Sequence, residues 1–158
     1  MKIVGDKLHL EGAMVTVRHF DGHGVLKHED VIHNLVTVVG LDWLHNQGWG
    51  TTGLSTNGLN YVAVSNDPVT ETSASTTLSN EITVNGLTRA QGTVTHVGGS
   101  TLTTVSHTFT CATAAQAAQK AALFTDASGG TMSHVVGFVQ RPLEVGDQLE
   151  LIFDITLA

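Results

Sequence analysis

Cysteine, aromatic rings and charge are all scarce in this 158-residue chain, and each shortage excludes something. The lone Cys111 leaves no internal disulfide and no zinc site made of thiolates alone. Its setting, Thr-Phe-Thr-Cys-Ala-Thr, suits a small buried residue better than a nucleophile. Charged residues make up 13% of the chain, about half the usual share for a soluble domain, and aromatics only 5%. Lys and Arg nowhere cluster, and 14 acidic against 7 basic residues leave a formal charge of −7. Binding nucleic acid through its phosphates requires a basic face, so nucleic acid is not an expected partner. No apolar run approaches the ~20 residues of a membrane-spanning helix, so no membrane partner is expected either. Met1 to Leu10 mixes Lys2, Asp6 and Lys7 with isolated apolar residues, unlike the apolar stretch of a signal peptide. A phosphate-binding glycine loop, an HExxH pair and a nucleophile elbow are all missing, which argues against an enzyme and against any cofactor.

What is present is neutral and polar. Thr, Ser, Asn and Gly take the place of charge, a composition suited to β-structure and to extended contact surfaces. The clearest helical signal runs from His33 to Gly50. Leu35, Val39 and Trp43 fall four apart, Asn34 is a candidate N-cap and Gly48 a candidate C′ residue. These predict one short helix over about 35–47. Its β-branched Val36 to Val39 and internal Gly40 make it weak in isolation, so Leu35, Val39 and Trp43 are expected to plug a sheet structure.

Most of the remainder alternates with a period of two. Met14 to Phe20 and Val25 to Ile32 flank the turn Asp21-Gly22-His23-Gly24 as a hairpin. Leu59 to Ser65 reads as a strand closed by Asn66-Asp67-Pro68. Glu81 to Leu87, Arg89 to Val97 and Leu102 to Thr110 follow, with Val105 and Phe109 facing inward. The tract Cys111 to Ala122 has helix-forming composition and is expected to give one helical turn before a strand at KAALFT. Thr131 to Phe138 is a strand and Arg141-Pro142 a break. Gln148 to Leu157 then places Leu149, Leu151, Phe153, Ile155 and Leu157 on one face. The pattern predicts a mainly β chain, an antiparallel β-sandwich or jelly-roll of about nine strands with the helix packed against it. Residues 1–12 form an arm or edge strand, and 13–158 a single domain.

Candidate chemistry is sparse. His19 and His23 flank the first turn and make the best metal candidate, but nothing nearby supplies a third ligand, so no metal is expected. His107 and Cys111 lie four apart, roughly 13 Å along a strand, which rules out a dyad. Asp147, Glu150 and Asp154 read as the solvated face of the last strand. Nine histidines serve either as a pH-responsive surface or as polar strand residues. Trp43, Trp49 and Tyr61 could stack on sugars if exposed, the mark of a carbohydrate-binding module.

The order of several motifs resembles the small structural β-proteins of tailed bacteriophage virions. A DG-turn hairpin (Val15 to Val31) leads into HNLVT with Gly40, then YVAVS (Tyr61 to Ser65), TTLSNE (Thr76 to Glu81), LFTDASGGTM (Leu123 to Met132) and GDQLEL (Gly146 to Leu151). The Ala/Gln tract between Cys111 and Ala122 departs from that pattern. The resemblance implies a non-enzymatic virion component: a capsid decoration (cement) protein on the capsid exterior, assembled in the host cytoplasm, or a tail, fibre or adaptor part. A compact domain without fibrous repeats or heptads favours decoration. Expected partners are the major capsid protein and the chain itself, the resemblance suggesting cyclic trimers. Arms and glycine-rich loops have little to bury internally. The expected contact residues are therefore Met1, Lys2, Ile3, Val4, Leu8 and Leu10 of the arm, with Trp49 and Leu54 of the following loop.

Overall fold

A computed structural model describes residues 13–49 and 58–156. The chain forms β1 (Met14–Phe20), β2 (Leu26–His33), β3 (Leu35–Val36), α1 (Val38–Trp49), β4 (Tyr61–Ser65), β5 (Ala90–Gln91), β6 (Thr93–His96), β7 (Leu102–Thr110), β8 (Gln116–Phe124), β9 (Met132–Leu143) and β10 (Gln148–Thr156). They build two antiparallel five-stranded sheets, in the orders β2-β1-β10-β7-β6 and β3-β9-β8-β4-β5. This is the expected sandwich.

Alternation explains the first sheet. In β1, Val15, Val17 and His19 point inward while Thr16, Arg18 and Phe20 stay partly exposed. In β10, Leu149, Leu151 and Phe153 are fully buried, and β7 adds Val105 and Phe109 from the next strand. Against them the second sheet packs Val62, Val64, Ala121, Leu123, Val136 and Phe138, closing one continuous core. Each such large side chain removed from water stabilises by about 1.5–3 kcal/mol before entropy is counted. A smaller cluster of Ala63, Leu78, Ala122, Phe124, Met132 and Val135 covers the other face of the second sheet.

Four segments differ from the sequence expectation. The helix begins at Val38 rather than Leu35, because Leu35 and Val36 are taken up by antiparallel pairing with Val135 and His134. Its cap is Thr37, not Asn34: the Thr37 Oγ1 accepts from the Gly40 N–H at 3.1 Å and donates to the Met132 carbonyl. Asn34 instead sits where the chain crosses from the first sheet to the second, its N–H donating to the Ala13 carbonyl at 3.0 Å. The alanine-rich tract is strand from Gln116 onward. β8 lies between β9 and β4, and Ala118, Ala121 and Ala122 are buried, so small side chains are what packing there admits. Tertiary packing overrides helix propensity at this tract.

Arg141-Pro142 does not break β9, because the register with β8 shifts between Ala118 and Lys120, absorbing extra β9 residues as a bulge. Glu81 to Leu87 is not a strand either. Only Glu81 bridges, to Ser65, and Asn80, Asn85 and Gly86 all take positive φ. A Cβ on Gly86 would come within 2.0 Å of the Thr110 carbonyl oxygen, so the chain here turns hard against β7.

Candidate functional site

A groove of about 700 Å³ lies between the end of β2 and the middle of β9. It arises from the crossover. β2 pairs with β1 as far as His33, β3 pairs with β9 only at Val135 and His134, and the chain passes between the sheets in the single residue Asn34. On that flank, β9 beyond Val135 has no ladder partner among the described residues. Val31, Leu35, Val69 and Val139 all line the groove and are all exposed, Val139 at 69%.

The opposite wall is fastened by charge. Lys120, 3% exposed on β8, donates to Asp67 at 3.0 Å and to Glu71 at 2.9 Å. Burial alone would lower the ammonium's pKa, but the hydrogen bonds to Glu71 and Asp67 outweigh it and the pKa is raised. The Asp67 carboxyl is correspondingly held below its usual range, first by the Lys120 hydrogen bond. Asp67 also accepts from the Val69 N–H at 3.2 Å, which pins the loop after Pro68 onto the sheet. At the far side Arg141 donates to Asp30, tying β9 to β2. The sequence reading passed over this set. The available signals were a lysine inside an apolar run and an aspartate directly before a proline.

A second buried cluster lies near the first turn. The His19 ring Nε2–H donates to Asp147 at 2.7 Å, and Lys27 reaches the same carboxylate at 3.1 Å. His19 also stacks on His28 at a centroid distance of 5.8 Å. The expected solvated face is therefore corrected at Asp147, which is buried by the turn Glu144 to Asp147 folding over it. Glu150 and Asp154 do lie on the outer side, bonded to Arg18 and Thr104. His19 points inward while His23 stays exposed, its N–H held by Asp21. Among the described residues no group of three His, Cys, Asp or Glu side chains is placed to hold a metal.

His107 and Cys111 both belong to the β7 region. His107 sits edge-on to Phe109 at 4.5 Å, whereas the Cys111 thiol points to the Ala114 carbonyl at 3.2 Å. Burial raises the thiol pKa and lowers that of His107, which disarms both.

Of the expected plug residues, Leu35 is corrected: it belongs to β3 and is 36% exposed, because pairing with β9 turns it towards the groove. Val39 and Trp43 are half-buried on α1. A half-open pocket of about 220 Å³ lies beside the helix, lined by Leu44, Val94, Val105, His134 and Ile155. So α1 packs against β9, and its Leu44 lines that pocket. Met1 to Leu10 and Leu54 lie outside the described residues, as does the side chain of Trp49, whose backbone ends α1.

These elements define an antiparallel β-sandwich whose β9 edge, unpaired beyond Val135 among the described residues, lies beside a groove lined by both valines and ion-paired side chains. Compared with protein-family models, with curated protein sequences and with solved structures, the chain matches none.

Proposed function

We propose that this chain is a non-enzymatic structural protein of a tailed-bacteriophage particle, a capsid decoration protein that self-associates and binds the major capsid protein. The observation that carries the reading is where the resembling motifs fall. HNLVT spans the crossover and the helix cap, and YVAVS is β4. TTLSNE lies in the segment that lays Leu78 over the second sheet, and its Glu81 bridges to β4. LFTDASGGTM is the β8–β9 turn, and GDQLEL opens β10. The motifs thus fall on paired strands and on the connections between them, places where the sandwich constrains the sequence.

Surface character supports the same reading. Leu26 and Val31 are exposed along β2, Val25 just before it, and among the described residues this eight-residue strand lies at the edge of its sheet, where it invites pairing with another chain. The described residues give the sugar-binding reading less support, since Trp43 and Tyr61 are half-buried and Tyr61 packs against the second cluster. Mass spectrometry of purified particles tests the proposal. The chain is expected at a stoichiometry comparable to that of the capsid protein, and its absence from particles would sink the reading.

A further inference from the structure

We propose that the pocket beside α1 is a binding site for one small, neutral, largely apolar molecule carrying a hydroxyl group, of the size of a phenol. The inference goes beyond the structural reading above and does not depend on it.

The pocket is built into the sandwich. His134 shares the inward face of β9 with Val136 and Phe138, two and four residues on, which belong to the main core. Val105 of β7 and Ile155 of β10 line it from the first sheet, with Val94 of β6 and Leu44 of α1 beside them. The space therefore continues the gap between the two sheets.

Two polar atoms on its lining residues are unmet. His134 is 1% exposed, and its Nε2 has no hydrogen-bond partner among the described residues. The Oδ1 of Asn60, which also lines the pocket, is enclosed and equally without one. Buried polar atoms are nearly always paired, so two beside one cavity point to a partner from outside the chain. Both residues are held in place. The Asn60 N–H donates to the Gly58 carbonyl at 3.0 Å, and its own carbonyl accepts from the Gly92 N–H at 2.7 Å. The Ser133 Oγ lies 2.8 Å from His134 Nδ1 and 3.4 Å from the Leu123 carbonyl. Its single proton goes to the nearer acceptor, which leaves the imidazole proton on Nε2.

Size and charge select the ligand class. About 220 Å³ is more than the roughly 150 Å³ that accepts benzene and less than the roughly 300 Å³ at which drug-sized sites begin, so one ring or a short branched chain fits. Among the described residues no Asp, Glu, Lys or Arg lines the pocket, and a charged ligand would enter uncompensated. A hydroxyl has the two functions that are missing: its oxygen accepts from the His134 Nε2–H and its proton goes to the Asn60 Oδ1. Water has the same functions but leaves the apolar walls unfilled, and a sugar brings more hydroxyls than this lining can pair.

Titration of the whole 158-residue chain with phenol, toluene and benzoate, followed through the methyl signals by NMR, tests the site. Phenol is expected to shift the Val94, Val105 and Ile155 methyls saturably. Toluene has the same ring without the hydroxyl and should bind about tenfold more weakly. Benzoate should not bind. His134→Leu should bring phenol and toluene to within about twofold of each other. Val94→Phe, on a wall residue that is 49% exposed, should abolish both with an unchanged circular dichroism spectrum. No saturable shift with phenol would mean that the pocket holds water only, and the site would be overturned. Equal binding of phenol and toluene by the wild-type protein would overturn the hydroxyl recognition, and that comparison requires no variant to fold.

Discussion

His19 and Asp147 are 128 positions apart, yet the imidazole Nε2 and the carboxylate meet at 2.7 Å with both side chains almost wholly buried. The contact joins the end of β1 to the turn before β10, so the hairpin at one end of the sandwich is tied to the last strand.

Asp147→Asn is expected to destabilise the protein by about 2–4 kcal/mol, because the variant weakens a buried, charge-assisted cluster while keeping its volume. Burial alone would raise the Asp147 pKa, but hydrogen bonds from His19, Lys27 and the Glu144 N–H outweigh it and lower it. The stabilisation is therefore present above the ordinary carboxylate range and lost as pH falls through the depressed folded value. Urea unfolding at pH 7 measures the loss. A change under 0.5 kcal/mol would show the cluster to be energetically idle.

Lys120→Ala should cost about 3–5 kcal/mol, since Asp67 and Glu71 would be left facing each other without a counter-charge. The triple replacement Lys120→Met, Asp67→Asn, Glu71→Gln should recover much of that loss, because no unpaired charge remains. If single and triple variants unfold at the same urea concentration, the cost is one of packing and not of charge.

Gly40→Ala is expected to destabilise by about 1–3 kcal/mol, although alanine favours an isolated helix by roughly 1 kcal/mol. A Cβ there would stand 2.5 Å from the Ser133 Cα and 2.8 Å from its carbonyl oxygen. Both atoms are backbone, so the helix must lift off β9. Thermal unfolding reports the sign directly.

Acid should weaken the fold through His134, whose pKa burial pushes down to about 4. An ordinary histidine takes up its proton near pH 6.5, so between 6.5 and 4 the unfolded chain binds a proton that the folded one refuses. Stability is fully present above that window and falls through it, by about 3 kcal/mol in all. His134→Leu should flatten this part of the stability profile. Equal slopes in variant and wild type, measured by urea titration at stepwise pH, would refute the assignment.

The fold was legible wherever one face is apolar and the other polar. β1, β7 and β10 read correctly from Val15/Val17, Val105/Phe109 and Leu149/Leu151/Phe153 because each strand has a single buried face. β8 did not, since a central strand covered on both faces loses its alternation and its alanines imitate a helix. The helix start was misplaced for a related reason: Leu35 and Val36 carry helical spacing, but pairing with β9 decides their conformation. The groove was not legible at all. It is made by residues from β2, β9 and the loop after β4, and only the crossover at Asn34 brings them together.

The middle of the first sheet is filled by its latest strand. β10 lies between β1 and β7, pairing Met14 with Asp154 on one side and Thr110 with Gln148 on the other. A chain emerging from the ribosome therefore carries two half-sheets with open inner edges until Gln148 to Thr156 has left the exit tunnel. The first sheet cannot close before that strand is available, and contacts this distant in sequence close slowly. Synthesis before β10 is the period in which this sheet is most exposed to aggregation, and loss of Gln148 to Thr156 would leave two unsealed edges instead of a smaller domain.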